Sequence, residues 1–520
     1  MTNRNEQWKH EKDGLEILKE LPALAEKDFK EIDPGDIERL KWAGIYAQRP
    51  RDGHFLVRVK LPSGQLTAAQ AKVLADLAAA YGKGEIQITI RQAVQIHNIT
   101  LRDAVDILPR LKAAGLSSVE ACGDVPRTIL GNPLAGVDAE ELLDTRPLVE
   151  EVFRFFLGNR DFSNLPRKFK ISISANPHDA GFARINDLAF VPARREREAG
   201  FVAYVGGGLS AEPHLAVRLP FFIRPAEVKA VAEAVATLFR DEGYREKRNH
   251  CRLKYLVADL GAERVAEKIE AQTGALLRGG EEVTAPWNYG RFYGIHAQKQ
   301  PGLCYVGVHV KNGHIRAEDL WAFAELAERF GQGRLRTTNS QNLILLDIPE
   351  GETEALLQDA IFEAYPTEPG FFTGYASSCT GNAYCNFAPI ETKNRLHELT
   401  AALDEAFPEV GQPLRINLTG CFHACAQPQV ADIGLTGGRA RVGEAVVPVY
   451  MVMIGGHLGE GSAFAQPLEG RVADDKLLGL LKALVQKYLA LREAGEPFYA
   501  TVARTGLELW QSVANQYAIA

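Results

Sequence analysis

Cysteine is scarce in this sequence, with seven in 520 residues. The count is odd and lacks the dense pairing of a small disulfide-built secreted scaffold, so a reducing cytoplasm is the expected compartment. Long apolar runs are missing as well. The longest, Val446 to Ile454, reads as a strand, and no segment approaches the ~20 apolar residues a membrane span needs. The opening Met1-Thr2-Asn3-Arg4-Asn5-Glu6 is polar and leads into no apolar h-region, which predicts no secretory leader. Positive charge is not in excess either. A net charge of −7 argues against general nucleic-acid binding, so any anion site must be a local concentration of cations. No P-loop, no GxGxxG between strand and helix and no flavin-domain pattern is visible. What is present is ordinary globular composition, 46% hydrophobic and 24% charged, over a length that suits two to four domains.

Four of the seven cysteines fall in two short clusters, Cys379-x5-Cys385 and Cys421-x3-Cys425. Four thiolates are the usual protein ligands of a cubane iron–sulfur cluster. Structural zinc also takes four, but favours loops of two to four residues between paired cysteines, tighter than the first spacing here. Four unrelated buried thiols are the bland alternative, and such clustering among so few cysteines speaks against it.

The segment Thr419-Gly420-Cys421-Phe422-His423-Ala424-Cys425, followed by Asp432-Ile433-Gly434-Leu435, closely resembles the signature of nitrite and sulfite reductases that carry siroheme and a [4Fe–4S] cluster. Ser378-Cys379-Thr380-Gly381-Asn382-Ala383-Tyr384-Cys385-Asn386 looks like the same family's upstream cysteine loop, and the likeness covers essentially the whole chain. The resemblance implies that Cys379, Cys385, Cys421 and Cys425 ligate the cluster. It also implies that the Cys425 sulfur serves as axial ligand of the siroheme, making the two cofactors one electronic unit.

The chain also repeats itself. Residues 57–99 lie over residues 306–348 without a gap, Gly64 meeting Gly313, Gly82 meeting Gly331 and Gln92 meeting Gln341. Each copy reads as a strand, a glycine turn, an amphipathic helix and a hairpin. A second pair follows: Ile171–Asn176 through Asp187–Phe190 aligns with Ile416–Cys421 through Asp432–Leu435, placing Asn176 opposite Cys421. Val205-Gly206-Gly207-Gly208 recurs as Ile454-Gly455-Gly456-His457. This period is too long for a solenoid and predicts a duplicated, pseudo-twofold α+β body holding its cofactors between the halves. By resemblance it comprises two ferredoxin-like half-domains and two larger α+β domains around siroheme and cluster. The expected segments are an N-terminal extension 1–44, half-domain 45–120, siroheme and anion-site domain 121–285, half-domain 286–365 and cluster domain 366–520.

The first copy has charge that the second lacks. In the strand that begins at His54, alternation sets Phe55, Val57, Val59 and Leu61 on one face and Arg58 with Lys60 on the other; Gly307 stands opposite Arg58 in the second copy. Lys168 and Lys170 share a strand face, and Arg127 ends the turn-like Cys122-Gly123-Asp124-Val125-Pro126. Any one of these could be a solvated strand face or an ion-pair member. Together they match the family, which implies that Arg58, Arg127, Lys168 and Lys170 hold the anionic substrate over the siroheme iron. Arg91, Gln92 and His97 resemble a siroheme-contacting hairpin, with Arg167 a further partner for the macrocycle's carboxylates. The run around Gly207 would let backbone lie against the ring, though it is equally a tight turn.

Two activities stay open. Cys379-Thr380-Gly381-Asn382 and Ile390-Glu391-Thr392-Lys393 look closer to ferredoxin-dependent nitrite reductases, whereas lysine at 170 is the sulfite reductases' residue. The reading leans to nitrite. Tyr46 and Cys122 resemble a tyrosine and cysteine that become covalently joined in some sulfite-reducing members, and without that context are a core aromatic and a buried thiol. With no nucleotide or flavin motif of its own, the chain is expected to take electrons from a small protein, ferredoxin by resemblance. The basic stretch Arg240 to Lys254 is either its docking face or a solvated helix face. A cytoplasmic monomer without nucleic-acid or membrane partners is expected. The rivals are a precorrin-modifying oxygenase on the same repeat, against which the cation set speaks, and an iron–sulfur electron carrier, which would need only the cysteines.

Overall fold

Alternation and turn chemistry set the first repeat. Phe55, Val57 and Val59 are buried along strand Phe55–Val59, and the chain then turns at Gly64 with φ +70°, where a Cβ would lie 1.9 Å from the Thr337 carbonyl oxygen. Thr67 caps helix Ala68–Tyr81 in a capping box, its hydroxyl accepting from the Gln70 N–H at 3.2 Å while Gln70 Oε1 accepts from the Thr67 N–H at 3.1 Å. Hairpin Glu85–Ile88 and Val94–Ile99 completes the unit. The second copy takes the same path through Leu303–Val308, Gly313, Ala317–Phe330, Arg334–Thr337 and Leu343–Pro349. This computed structural model describes residues 3–288 and 292–519. Met1 and Thr2 of the polar opening segment lie outside the described residues.

The two copies exchange a strand. Gln65–Thr67 leaves its own sheet and pairs with Arg334–Thr337, Leu66 opposite Leu335. His314–Arg316 pairs reciprocally with Glu85–Ile88, Ile315 opposite Ile86. Each copy thus closes an edge of the other's five-stranded sheet, leaving fewer unpaired backbone groups. One core runs through both sheets, the helices on them and the N-terminal segment, whose Ile17, Leu21, Leu24, Leu40 and Trp42 are buried in it.

The second repeat gives two sheets of matching order. In the first, Leu130–Gly131, Ile171–Ile173 and Leu188–Arg195 run parallel, and Glu198–Val205 and Val217–Arg218 continue antiparallel. In the second, Ser377–Ser378, Ile416–Thr419 and Ile433–Val442 run parallel and Ala445–Ile454 and Gln466–Pro467 antiparallel. Register repeats with order: Ile171 faces Leu188 and Leu188 faces Val205, as Ile416 faces Ile433 and Ile433 faces Ile454. The apolar run expected as a strand is Ala445–Ile454. The chain divides into two compact units, one of Met1–Gly208 with His214–Thr367 and one of Leu209–Pro213 with Glu368–Ala520. Among the described residues no helix is long and apolar enough to cross a membrane.

Candidate functional site

In the first unit, Arg58 rises from its strand with Gln95 directly opposite on the neighbouring one. Its Nε and Nη2 both donate to Gln95 Oε1, at 2.9 and 2.6 Å. Arg127 is placed by a parallel bridge between Pro126 and Phe169 and folds back on its own turn. Its Nε and Nη2 donate to the Gly123 carbonyl at 3.0 and 2.7 Å, and its Nη1 to that of Ala121 at 3.2 Å. Arg91 gives Nη1 to Asn186 Oδ1 at 2.9 Å and Nη2 to the Thr128 carbonyl at 2.7 Å, while its buried Nε meets no acceptor. Phe169 is fully buried, so Lys168 and Lys170 on either side of it, both half-buried, project the opposite way.

These cations crowd one another. Burial lowers Arg91 to about 9, with repulsion from Arg127, Arg252 and Arg58 adding to it. Burial likewise lowers Arg127 to about 10, with Arg58 and Arg167 adding to it. Both stay protonated near neutral pH. Among the described residues the side-chain hydrogen bonds of Arg58, Arg91 and Arg127 go to neutral acceptors, an amide or a carbonyl. Arg167 and Arg252 differ. Arg167 and Arg248 donate to buried Asp124, and Arg252 spans Asp187 at 2.8–3.1 Å. A cation held by a neutral group keeps its full charge for an approaching anion, whereas one held by a carboxylate does not.

In the second unit, parallel strands Ser377–Ser378 and Ile416–Thr419 run directly into Cys379 and the Gly420-Cys421 turn, so both cysteine pairs leave the same end of the sheet. The Gly420 N–H donates to Cys379 Sγ at 3.2 Å, the Phe387 N–H to Cys385 Sγ at 3.4 Å, and Cys421 Sγ lies 3.3 Å from His423 Nδ1. Thr392 Oγ1 ties down the Cys379 carbonyl at 2.7 Å. None of the four is in a disulfide, and Cys425 is the exposed one. Burial pushes Cys421 up to about 12, and Cys425, Cys379 and Cys385 push the same way. Thiols that suppress one another's ionisation suit a site where bound cations take the protons' place. Among the described residues no three His, Cys, Asp or Glu side chains close around one point as a single ion requires. A cubane offers each thiolate its own iron corner, and thiols gathered at one end of the sheet, with amide N–H groups on Cys379 and Cys385, fit the cluster.

Several residues expected at the cofactor also engage the protein's own groups. Gln92 has no exposed surface: its Oε1 accepts from the Gly131 N–H at 3.1 Å and its Nε2 reaches the Thr337 carbonyl at 3.4 Å. Gln341, its repeat partner, reaches the Ile88 carbonyl at 3.1 Å, so the pair tie the two copies together. His97 is also buried, its nitrogens facing Gln95 and Gln48. A Cβ on Gly207 would lie 2.5 and 2.6 Å from the carbonyl oxygens of Arg184 and Asn186, so that glycine admits the protein's own backbone. Lys60, expected beside Arg58 on the polar face, is buried with its Nζ 5.7 Å from the Phe153 ring. Part of the basic stretch is engaged within the fold: Arg245 binds Glu6, Arg248 binds Asp124, Arg252 binds Asp187, and Lys254 is buried, while Lys247 is exposed. Gln95, Asp124 and Asp187 were missed, although Gln95 could be found from its register opposite Arg58.

The family described as "Nitrite and sulphite reductase 4Fe-4S domain" matches residues 122–276 and 374–518, and "Nitrite/Sulfite reductase ferredoxin-like half domain" matches residues 46–114 and 296–361. The chain is 38% identical over 492 residues to "Ferredoxin--nitrite reductase" of Synechococcus elongatus, covering 93% of this chain and 96% of that protein. It is 34% identical over 525 residues to "Sulfite reductase [ferredoxin] 2" of Mycolicibacterium paratuberculosis, covering 95% and 94%. The solved structure of the Mycobacterium tuberculosis NirA protein superposes with a TM-score of 0.92 at 32% identity over 98% of this chain and 97% of that one. With a duplicated α+β scaffold, four clustered thiols and matches that span nearly its whole length, this chain belongs to the nitrite and sulphite reductase family.

Proposed function

We propose that this chain takes electrons from ferredoxin and reduces nitrite to ammonia, using a siroheme and a [4Fe–4S] cluster. The observation that carries the anion site is the trio Arg58, Arg91 and Arg127, crowded together yet hydrogen-bonded only to neutral groups among the described residues. Such a set has one electrostatic purpose, to receive negative charge. Arg91, with an N–H still unsatisfied, suits a carboxylate of the macrocycle. Arg58, Arg127, Lys168 and Lys170 hold the nitrite oxygens, and the lysines keep protons at Nζ for the oxygens that leave as water. Cys379, Cys385, Cys421 and Cys425 would hold the cluster, and Cys425 would also serve the siroheme as a thiolate. When bound, the cofactors supply the one-electron chemistry, six electrons in all per nitrite. The protein works as a cytoplasmic monomer, in keeping with the reducing conditions cluster thiolates need.

Sulfite is the second reading, favoured by one observation: position 170 is lysine, which adds a second ammonium beside Lys168 for a more highly charged oxyanion. Steady-state reduction of nitrite and of sulfite by one holoprotein preparation with reduced ferredoxin decides between them. A higher kcat/KM for nitrite is expected, and a higher value for sulfite overturns the assignment. The same preparation must show siroheme absorption bands; cluster absorption alone with full iron would leave an electron carrier.

A further inference from the structure

Arg58 stands among like charges and needs restraint, yet a carboxylate restraint would cancel the charge it offers. We propose that Gln95 and His97 form a positioning relay that holds Arg58 toward the anion at full charge. The inference rests on the reading of Arg58 as an anion-site residue.

A guanidinium can only donate, so the Gln95 atom between Arg58 Nε and Nη2 is the carbonyl oxygen. The amide nitrogen must then face His97 Nε2, 3.2 Å away, which makes Nε2 the acceptor and puts the ring proton on Nδ1, 3.4 Å from Gln48 Oε1. With the acceptor in place the amide cannot turn over and present N–H groups to the guanidinium. Gln95 and His97 are 4% and 2% exposed, so water does not replace either partner.

The second copy is an internal control. Gln48 has a counterpart there: it exchanges hydrogen bonds with Asn98 as Gln298 does with Asp347, so Gln48 belongs to the scaffold shared by both sheets. The relay does not. Arg58 and Gln95 face each other where Gly307 faces Ile344, and His97 gives way to buried Leu346. At Gly307 a Cβ would lie 1.5 Å from the Phe292 carbonyl oxygen, so backbone fills the place of the arginine side chain. The same sheet therefore forms with an apolar trio, and the buried polar trio of the first copy serves the arginine.

The test titrates nitrite into holoprotein, read by visible absorption for Kd, alongside KM and kcat. Arg58→Gln should raise Kd and KM most. Gln95→Leu should raise both about tenfold with kcat within about threefold, the pattern of lost binding rather than lost chemistry. His97→Leu should follow it, and His97→Gln, which restores an acceptor, should recover KM to within about twofold of wild type. Gln95→Glu should hold the arginine but neutralise it, raising KM and flattening its dependence on ionic strength. An unchanged Kd in Gln95→Leu beside a raised Kd in Arg58→Gln overturns the relay alone. An unchanged Kd in Arg58→Gln overturns the anion reading and the relay with it. If Gln95→Leu does not fold, the histidine pair decides: His97→Gln no better than His97→Leu overturns the relay.

Discussion

Asp124 is the most heavily loaded carboxylate near the cation set, and its removal has a calculable cost. It is 1% exposed on its side chain, with Arg167 Nη1 at 3.2 Å, Lys9 Nζ at 3.4 Å and Arg248 paired through both terminal nitrogens. Burial alone would raise its pKa; Arg248, Arg167 and Lys9 overrule burial and hold it far below the ordinary carboxylate value. Asp124→Asn keeps one acceptor but leaves Arg167 and Arg248 without a carboxylate partner, Lys9 keeping its pair with Glu6, which places it in the range of about 3–5 kcal/mol for breaking a buried ion pair from one side. At a urea slope of ~3 kcal/mol per M, the unfolding midpoint followed by circular dichroism should fall by about 1 to 1.7 M. Glu150→Gln, which loses only an exposed pair with Arg154, should move it by less than about 0.3 M. The sign with pH follows from the depressed value. The stabilisation is fully present above the unfolded pKa of about 3.9 and is lost as pH falls through the folded one. The gap between wild type and Asp124→Asn should therefore be the same at pH 8 and pH 5.5 and close only below about 4. A midpoint shift under about 0.3 M, or a gap that already narrows by pH 5.5, would refute the reasoning.

Cys385→Ser should leave the purified protein with almost no cluster iron by metal analysis and no cluster signal by electron paramagnetic resonance, because a lost thiolate uncovers one iron corner; full iron retention would remove Cys385 from the ligand set. Lys170→Asn should weaken sulfite turnover about tenfold more than nitrite turnover in kcat/KM, since the lost charge matters more to the more highly charged anion, and equal losses would contradict that role. Gly64→Ala places a Cβ 1.9 Å from the Thr337 carbonyl at φ +70°, and should cost about 2–3 kcal/mol in the urea titration. Gly84→Ala, at φ +74° with open space around it, should cost about 1 kcal/mol; equal costs would mean the close approach at Gly64 is relieved elsewhere.

The duplication was legible because two stretches align without a gap and share turn glycines and a helix pattern. The strand exchange was not, since Gln65-Leu66-Thr67 alternates identically whichever sheet it joins, and alternation names no partner. Residue type pointed to the cations, yet type alone could not say which ones a carboxylate neutralises. Asp124 reaches Arg167 and Arg248 across 43 and 124 positions, and Asp187 reaches Arg252 across 65. In the run Arg240 to Lys254, charge density likewise did not say that Arg245, Arg248 and Arg252 each hold a carboxylate. Gln92 aligned with Gln341, and a residue present in both copies proved to belong to the shared scaffold. Gln95 and His97, which the second copy replaces with Ile344 and Leu346, belong to the polar group beside Arg58.

The exchanged strands also set a schedule for synthesis. Hairpin Glu85–Ile88 and Val94–Ile99 emerges from the ribosome long before its outer neighbour His314–Arg316 exists, a wait of roughly 11 to 43 s at ~5–20 residues per second. Through that interval one flank of the first sheet has nothing to bind, and a truncated product ending before position 314 would carry the flank permanently.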